Sequence, residues 1–169
     1  MPPKERLYNI AENIVHTLLQ CKETISVAES ITGGLCCSII TAIPGSSKVL
    51  LEGIVPYTIR AKTLRLGISE IDLQTYGVIS SFTAKAMAQN VKKTMNADYG
   101  ISFTGNAGPG VNQAGGEVGT VYIGISTPNG RIVCKHCKFS STLPREDIKY
   151  QAVLTGIEFL WDQIKKTIK

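Results

Sequence analysis

Ser30 stands in the run Ala28-Glu29-Ser30-Ile31-Thr32-Gly33-Gly34, between a short apolar stretch from Ile25 to Ala28 and the segment Leu35 to Ile43, which Pro44-Gly45 closes. That order reads as strand, tight turn, helix and stop. It places a hydroxyl at the carboxyl end of a strand, beside the unpaired N–H groups that open a helix, an arrangement suited to an anion or an oxyanion. Gly33 and Gly34 carry no Cβ and are expected to let backbone or ligand approach closely. A serine before a helix also serves simply as an N-cap, and the turn by itself leaves both readings open.

A serine nucleophile needs a base. The two histidines, His16 and His136, lack a catalytic context, so a Ser-His-Asp triad is not expected. The Gly-x-Ser-x-Gly elbow is absent because Ala28 and Thr32 occupy its glycine positions, and no Ser is followed by Lys three residues later. The best remaining candidate is Lys62 in Tyr57-Thr58-Ile59-Arg60-Ala61-Lys62, at the end of a second apolar run, Gly53 to Thr58, and the start of a short helix ended by Gly67. Tyr57 and Lys62 could both face Ser30 from a neighbouring strand end, where open α/β sheets bind ligands. The plainer alternatives are a solvated helix lysine and a boundary aromatic.

A second glycine stretch, Gly105-Asn106-Ala107-Gly108-Pro109-Gly110, has the two outer glycines of a phosphate loop. Val111 and Asn112 then stand where a Lys and a hydroxyl residue would hold phosphates and magnesium, which argues against nucleoside triphosphate chemistry. The dinucleotide pattern fails because Gln113 occupies its last glycine position. A ligand-contacting loop and a merely flexible one both remain open. Cys134-Lys135-His136-Cys137 looks like half of a zinc site, but it lies in a strand-like segment where residues three apart point to opposite faces. No metal or cofactor is expected.

The elements that must position these residues follow from periodicity and turn chemistry. Leu7, Ile10, Ala11, Ile14, Val15 and Leu18 recur at helical spacing over residues 4–22. Ser80 or Ser81 caps a helix running to about Asn96, with Ala84, Met87, Ala88, Val91 and Met95 inward. Tyr99 to Thr104 reads as a strand. Thr120 to Ser126 and Arg131 to Phe139 form a hairpin across Thr127-Pro128-Asn129-Gly130. A last helix, Arg145 to Lys166, carries Ile148, Ala152, Phe159, Leu160 and Ile164 as its core stripe. Helices alternate with strands before a late β-hairpin, which predicts a three-layer α/β/α sandwich with a mixed, mostly parallel sheet. The expected organisation is one domain over residues 1–169.

Composition bounds the function classes. A 169-residue chain with 43% hydrophobic and 18% charged residues can bury a core without a staple. The formal charge is +5, but Lys and Arg are scattered apart from Lys92-Lys93 and Lys165, Lys166 and Lys169, so no nucleic-acid partner is expected. A mildly positive field favours a small anionic substrate such as a phosphate ester, or reflects an ordinary solvated surface. The charged start, Met1 to Arg6, lacks the apolar core of a secretory signal, and no apolar run approaches the roughly 20 residues of a membrane span. Five cysteines, an odd number, then argue for reduced thiols. A cytoplasmic location with no membrane partner is expected.

Taken together, several motifs resemble the nicotinamide mononucleotide deamidase family, the C-terminal domain of competence-damage-inducible (CinA-like) proteins. They are the Ala28 to Gly34 run, Ile43-Pro44-Gly45-Ser46-Ser47, Tyr57 with Lys62, Tyr76-Gly77-Val78-Ile79-Ser80, Thr104 to Gly110, and Val118-Gly119-Thr120-Val121. Their common order covers nearly the whole chain. The sequence departs from the family pattern at Ile31, where Cys is usual, at Asn106 and Val111, and at Leu143-Pro144 before Arg145.

The resemblance implies metal-free hydrolysis of the carboxamide of nicotinamide mononucleotide, giving nicotinate mononucleotide and ammonia in pyridine nucleotide salvage. Ser30 is then the nucleophile, Lys62 the base and Tyr57 a helper. Thr32, Gly33, Gly34, Thr104, Gly105, Asn106, Ala107 and Gly108 are implied to bind substrate, with N–H groups near Gly33 and Gly34 as oxyanion donors. Arg145 is implied to hold the phosphate or the ring end, a role that suits its planar donor fork. A homo-oligomer such as a dimer is the expected assembly.

Overall fold

Strands β1 (Ile25–Glu29), β2 (Leu50–Ile54), β3 (Tyr99–Gly105), β4 (Thr120–Ser126) and β5 (Ile132–Lys138) form one sheet in the order β2-β1-β3-β4-β5. In this computed structural model residues 4–110 and 116–168 are described. Val111, Asn112 and Gln113, Met1 to Pro3 and Lys169 lie outside them. β1 pairs in parallel with both β2 and β3, and β4 alone runs against the others. The helices are α1 (Lys4–Cys21), α2 (Leu35–Thr41), α3 (Ile59–Leu66), α4 (Glu70–Tyr76), α5 (Ser81–Thr94) and α6 (Arg145–Thr167).

The sheet is covered on both faces, as a largely parallel sheet requires. On one side α1, α2 and α6 bury Leu7, Ile14, Leu18, Ile40, Ile157 and Leu160 against Val27, Ile101 and Ile123. Burying such side chains contributes about 1.5–3 kcal/mol each. On the other, Leu66, Leu73, Met87 and Val91 from α3, α4 and α5 close around Ala28. β1, held between two neighbours and two helical layers, is buried at every position. The result is the expected α/β/α sandwich with a mixed sheet.

α5 lies unusually close to the strands. A Cβ on Gly100 would meet the Ala88 carbonyl oxygen at 2.1 Å, and one on Gly124 would meet that of Ala84 at 2.2 Å. Ser102 Oγ donates to the Ala84 carbonyl at 2.6 Å in the space between them.

Three expectations need correction. Met95, expected inward, is exposed just past the end of α5. The second strand is Leu50–Ile54, not Gly53 to Thr58. Pro56 has no N–H for a ladder, so the chain leaves the sheet before it and reaches the Thr58 cap of α3 as irregular backbone. α4 was not foreseen, because seven residues with only Leu73 buried give no periodic signal. Its cap is nonetheless ordinary: Ser69 Oγ accepts from Asp72 N–H, and Glu70 and Asp72 fill the first turn. Among the described residues, no helix is long and apolar enough to cross a membrane.

Candidate active site

Ser30 follows β1 directly and remains tied to the sheet, since its N–H donates to the Phe103 carbonyl at 2.9 Å. The chain then turns through Gly33 and Gly34, with φ of +63° and +101°, into α2. Their role differs from the expected close approach. A Cβ at either position would meet nothing within 4 Å, so the glycines answer the positive φ.

Lys62 comes from the first turn of α3. Thr58 caps that helix, its Oγ1 accepting from Ala61 N–H at 3.1 Å, and Lys62 N–H donates to the Thr58 carbonyl. This start directs the Lys62 side chain inward, where it is fully buried. Its Nζ lies 3.2 Å from Ser30 Oγ, 2.9 Å from the Pro56 carbonyl and 3.4 Å from that of Tyr57. Burial penalises the ammonium and pushes the Lys62 pKa down from 10.5 to about 8. A neutral amine has two N–H donors and one lone pair. As an ammonium, Nζ donates to Ser30 Oγ as well as to the two carbonyls; once it is deprotonated, with both remaining N–H groups on the carbonyls, its lone pair is left for the Ser30 hydroxyl.

These side chains open on a pocket of about 300 Å³. Of the residues singled out in the sequence, its wall contains Ser30, Tyr57, Lys62, Thr104, Gly105, Asn106, Ala107 and Arg145. Thr32, Gly33, Gly34 and Gly108 are not in that wall. Ile31, Thr58, Ile59, Val78 and Ile79 are, and sequence reasoning assigned them no role. Val78 and Ile79 had a signal in their glycine-flanked motif, and Thr104 Oγ1 now fixes that segment by donating to the Val78 carbonyl at 2.8 Å. Lys62 and Arg145 are the cations of the wall, and no carboxylate from the described residues stands there.

The oxyanion expectation changes at Gly34. Its N–H already donates to Glu29 Oε2 at 2.9 Å and cannot serve a ligand without breaking that bond. Among the described residues, the N–H groups of Ile31 and Ala107, both in the wall, have no hydrogen-bond partner.

Tyr57 and Arg145 meet each other at the pocket mouth. Arg145, the first residue of α6, donates from Nη2 to Tyr57 Oη at 3.1 Å and from Nη1 to the Gly108 carbonyl at 2.7 Å. The Tyr57 hydroxyl makes no hydrogen bond to Ser30 or Lys62, although its carbonyl touches Nζ. Asn106, in place of an apolar residue, organises the glycine stretch: Oδ1 accepts from Gly108 N–H at 2.8 Å, and Nδ2 donates to the carbonyls of Gly110 and Gly116 at 3.2 and 3.1 Å.

Other candidates lie elsewhere. His16 and His136 are exposed, the latter stacked on Tyr122 with ring centroids 4.5 Å apart. Burial, and then the Glu29 charge, push the Cys36 and Cys37 thiols well up, which leaves little thiolate at neutral pH. Cys134 and Cys137 lie three residues apart on β5, and no group of three or more His, Cys, Asp or Glu among the described residues could hold a metal ion.

Known proteins repeat this chain's sequence and shape. The family described as the CinA C-terminal domain matches residues 7–164. A CinA-like protein of Gloeothece citriformis is 41% identical over 143 residues, covering 85% of this chain and 34% of that protein. One of Flavobacterium psychrophilum is 40% identical over 149 residues, 88% of this chain and 35% of that protein. The chain thus spans about a third of the length of these relatives. The crystal structure of the competence/damage inducible protein CihA from Agrobacterium tumefaciens superposes with a TM-score of 0.89 at 32% identity, covering 95% of this chain and 96% of that one. With the family matched across nearly all of the sequence and the fold shared end to end, the chain belongs to the CinA C-terminal domain family.

Proposed function

We propose that the chain is a serine amidohydrolase that converts nicotinamide mononucleotide and water to nicotinate mononucleotide and ammonia. The observation that carries this reading is the buried amine of Lys62, 3.2 Å from Ser30 Oγ and with its N–H groups matched to the Pro56 and Tyr57 carbonyls. Such an amine can take the serine proton as Oγ bonds to the carboxamide carbon. The N–H groups of Ile31 and Ala107, residues of the pocket wall without a partner among the described residues, serve the tetrahedral oxyanion in this reading. The C–N bond then breaks, and the leaving nitrogen takes the proton from Lys62 and departs as ammonia. Water, deprotonated by the same amine, cleaves the acyl-enzyme and restores Ser30.

The substrate follows from the family resemblance and from the charge of the wall. The permanent cation Arg145, with no carboxylate from the described residues in the wall, favours an anionic ligand, and its planar donor fork suits a phosphate. The test is ammonia release from nicotinamide mononucleotide by the purified protein, with and without a chelator, alongside Ser30→Ala. Turnover that persists in chelator and vanishes in Ser30→Ala, with substrate binding kept within several-fold, is expected. Tight binding without ammonia from the parent protein would overturn the enzyme reading in favour of a nucleotide-binding module.

A further inference from the structure

The residue before the nucleophile is a carboxylate with no exposure to solvent. Glu29 Oε2 accepts from the N–H groups of Gly34 at 2.9 Å and Cys36 at 3.1 Å, while Oε1 accepts from Cys37 N–H at 2.8 Å. Buried carboxylates are rare unless fully paired, and this one is held by three backbone N–H groups, with the Cys37 thiol beside it. The last residue of β1 therefore reaches over the Ser30 turn and grips the beginning of α2. Ser30 is held on its other side by its own N–H bond to the Phe103 carbonyl.

Building on the proposed Ser30 and Lys62 chemistry, we propose that Glu29 is a positioning residue for the nucleophile, clamping the turn so that Ser30 Oγ stays within reach of Lys62 Nζ. The clamp has a second consequence. By engaging the N–H groups of Gly34, Cys36 and Cys37 it fills the anion-seeking start of α2 from within, and leaves the developing oxyanion to N–H groups in the pocket wall. Its hydrogen bonds go to the backbone at the start of α2. Lys62 has burial as the sole cause of its lowered pKa, so the base is not held protonated by the acid next to its nucleophile.

The experiment uses Glu29→Gln in the full chain. Glutamine has the same shape, but its amide nitrogen must face at least one of the three N–H donors and lose that bond. Displacements of about 1 Å at a reacting atom can cost on the order of 100-fold in rate. The expected result is a kcat lower by about that factor with KM kept within about threefold, because nothing in the phosphate-binding region has changed.

A second readout is the rate at which a fluorophosphonate labels Ser30, the Oγ–P bond forming as fluoride leaves and the serine proton passing to Lys62. This rate should fall in parallel with kcat in protein whose circular dichroism and cooperative melt show it to be folded. A merely structural role would lower the melting temperature while folded protein kept the parent's labelling rate, and that outcome overturns the proposal. Should Glu29→Gln not fold, Glu29→Asp keeps the charge but withdraws it by one methylene, and a parental labelling rate there overturns the proposal equally. Failure of the underlying reading is distinct: the parent itself would label no faster than Ser30→Ala, and the proposal would fall with it.

Discussion

Arg145 Nη2 donates to Tyr57 Oη at 3.1 Å, and that bond connects the start of α6 to the segment leading into α3 across the mouth of the pocket. Tyr57 therefore braces the residue proposed to hold the phosphate, while its hydroxyl makes no bond to Ser30 or Lys62. The donor is a guanidinium, but the bond is exposed and only braces the side chain, so its loss is expected to cost substrate binding about 0.5–1.5 kcal/mol. Tyr57→Phe should raise KM for nicotinamide mononucleotide by about 2- to 10-fold with kcat little changed. In a double-mutant cycle with Arg145→Ala the two effects should not add. A kcat as low as that of Ser30→Ala would instead return Tyr57 to the proton path.

Arg145→Ala should act on binding. A charge-assisted contact is worth about 1.5–3 kcal/mol, so KM for the nucleotide should rise by roughly 10- to 150-fold. A phosphate far from the amide is held about equally in ground and transition states, which spares kcat. Nicotinamide riboside, lacking the phosphate, should barely distinguish variant from parent. Equal losses on both substrates would show that Arg145 acts at the ring or through the fold.

On the proposed mechanism, activity should rise with pH through about 8, the value to which burial lowers Lys62, because only the free amine could accept the serine proton. Lys62→Arg should be inactive at every usable pH, since a guanidinium keeps its proton. Initial rates from pH 6 to 9.5 measure this. An unchanged profile in Lys62→Ala would sink the base assignment.

The same burial predicts a stability trend. Lys62 has a pKa of about 8 in the folded chain against 10.5 for the ordinary side chain, so between these values the unfolded state binds more protons. Stability then rises with pH across that window, and below pH 8 the folded state bears the full cost of a buried ammonium. Lys62→Met removes the titration. Urea midpoints at pH 7 and pH 10 should therefore show the parent gaining on the variant as pH rises. Tyr99, whose pKa burial raises to about 12, destabilises both proteins alike above pH 10 and cancels in the difference. A constant gap between the two proteins would contradict the lowered pKa.

Two glycine substitutions should differ in size for a visible reason. Gly34→Ala meets no atom but must hold φ at +101°, a cost of about 1–2 kcal/mol. Gly124→Ala would drive a methyl against the Ala84 carbonyl oxygen at 2.2 Å, backbone that α5 cannot easily withdraw, at about 3 kcal/mol or more. Thermal melts of the two variants order them, and a milder Gly124→Ala would mean that α5 is free to shift.

Much of the architecture is written locally. The stripe of α1, the Ser80 cap of α5, the Gly67 stop of α3 and the Asn-Gly turn of the hairpin are each specified by residues within a few positions of one another. Elimination left Lys62 as the candidate base for Ser30 beside plainer readings of both residues, and the family resemblance favoured the pair. The sequence could not say that Lys62 would be buried: a lysine four residues into a polar helix reads as solvated, and only the packing of α3 against α4 and α5, with Nζ at the Ser30 turn, removes its water.

Nor could it distinguish the glycine that allows close contact from the one that allows a turn. That depends on φ at Gly34 and on how near α5 approaches Gly124. The internal occupant of the α2 start was equally hidden, because Glu29 reads as one more charged residue until the turn folds it over the N–H groups of Gly34, Cys36 and Cys37. Residue types and spacing thus indicated most of the elements and, with the family resemblance, the side chains proposed to react, because those signals depend on near neighbours. The tertiary structure decided the pKa of the amine, the partner of each N–H and the bond between Tyr57 and Arg145, because burial and hydrogen bonding depend on segments that are distant in the chain.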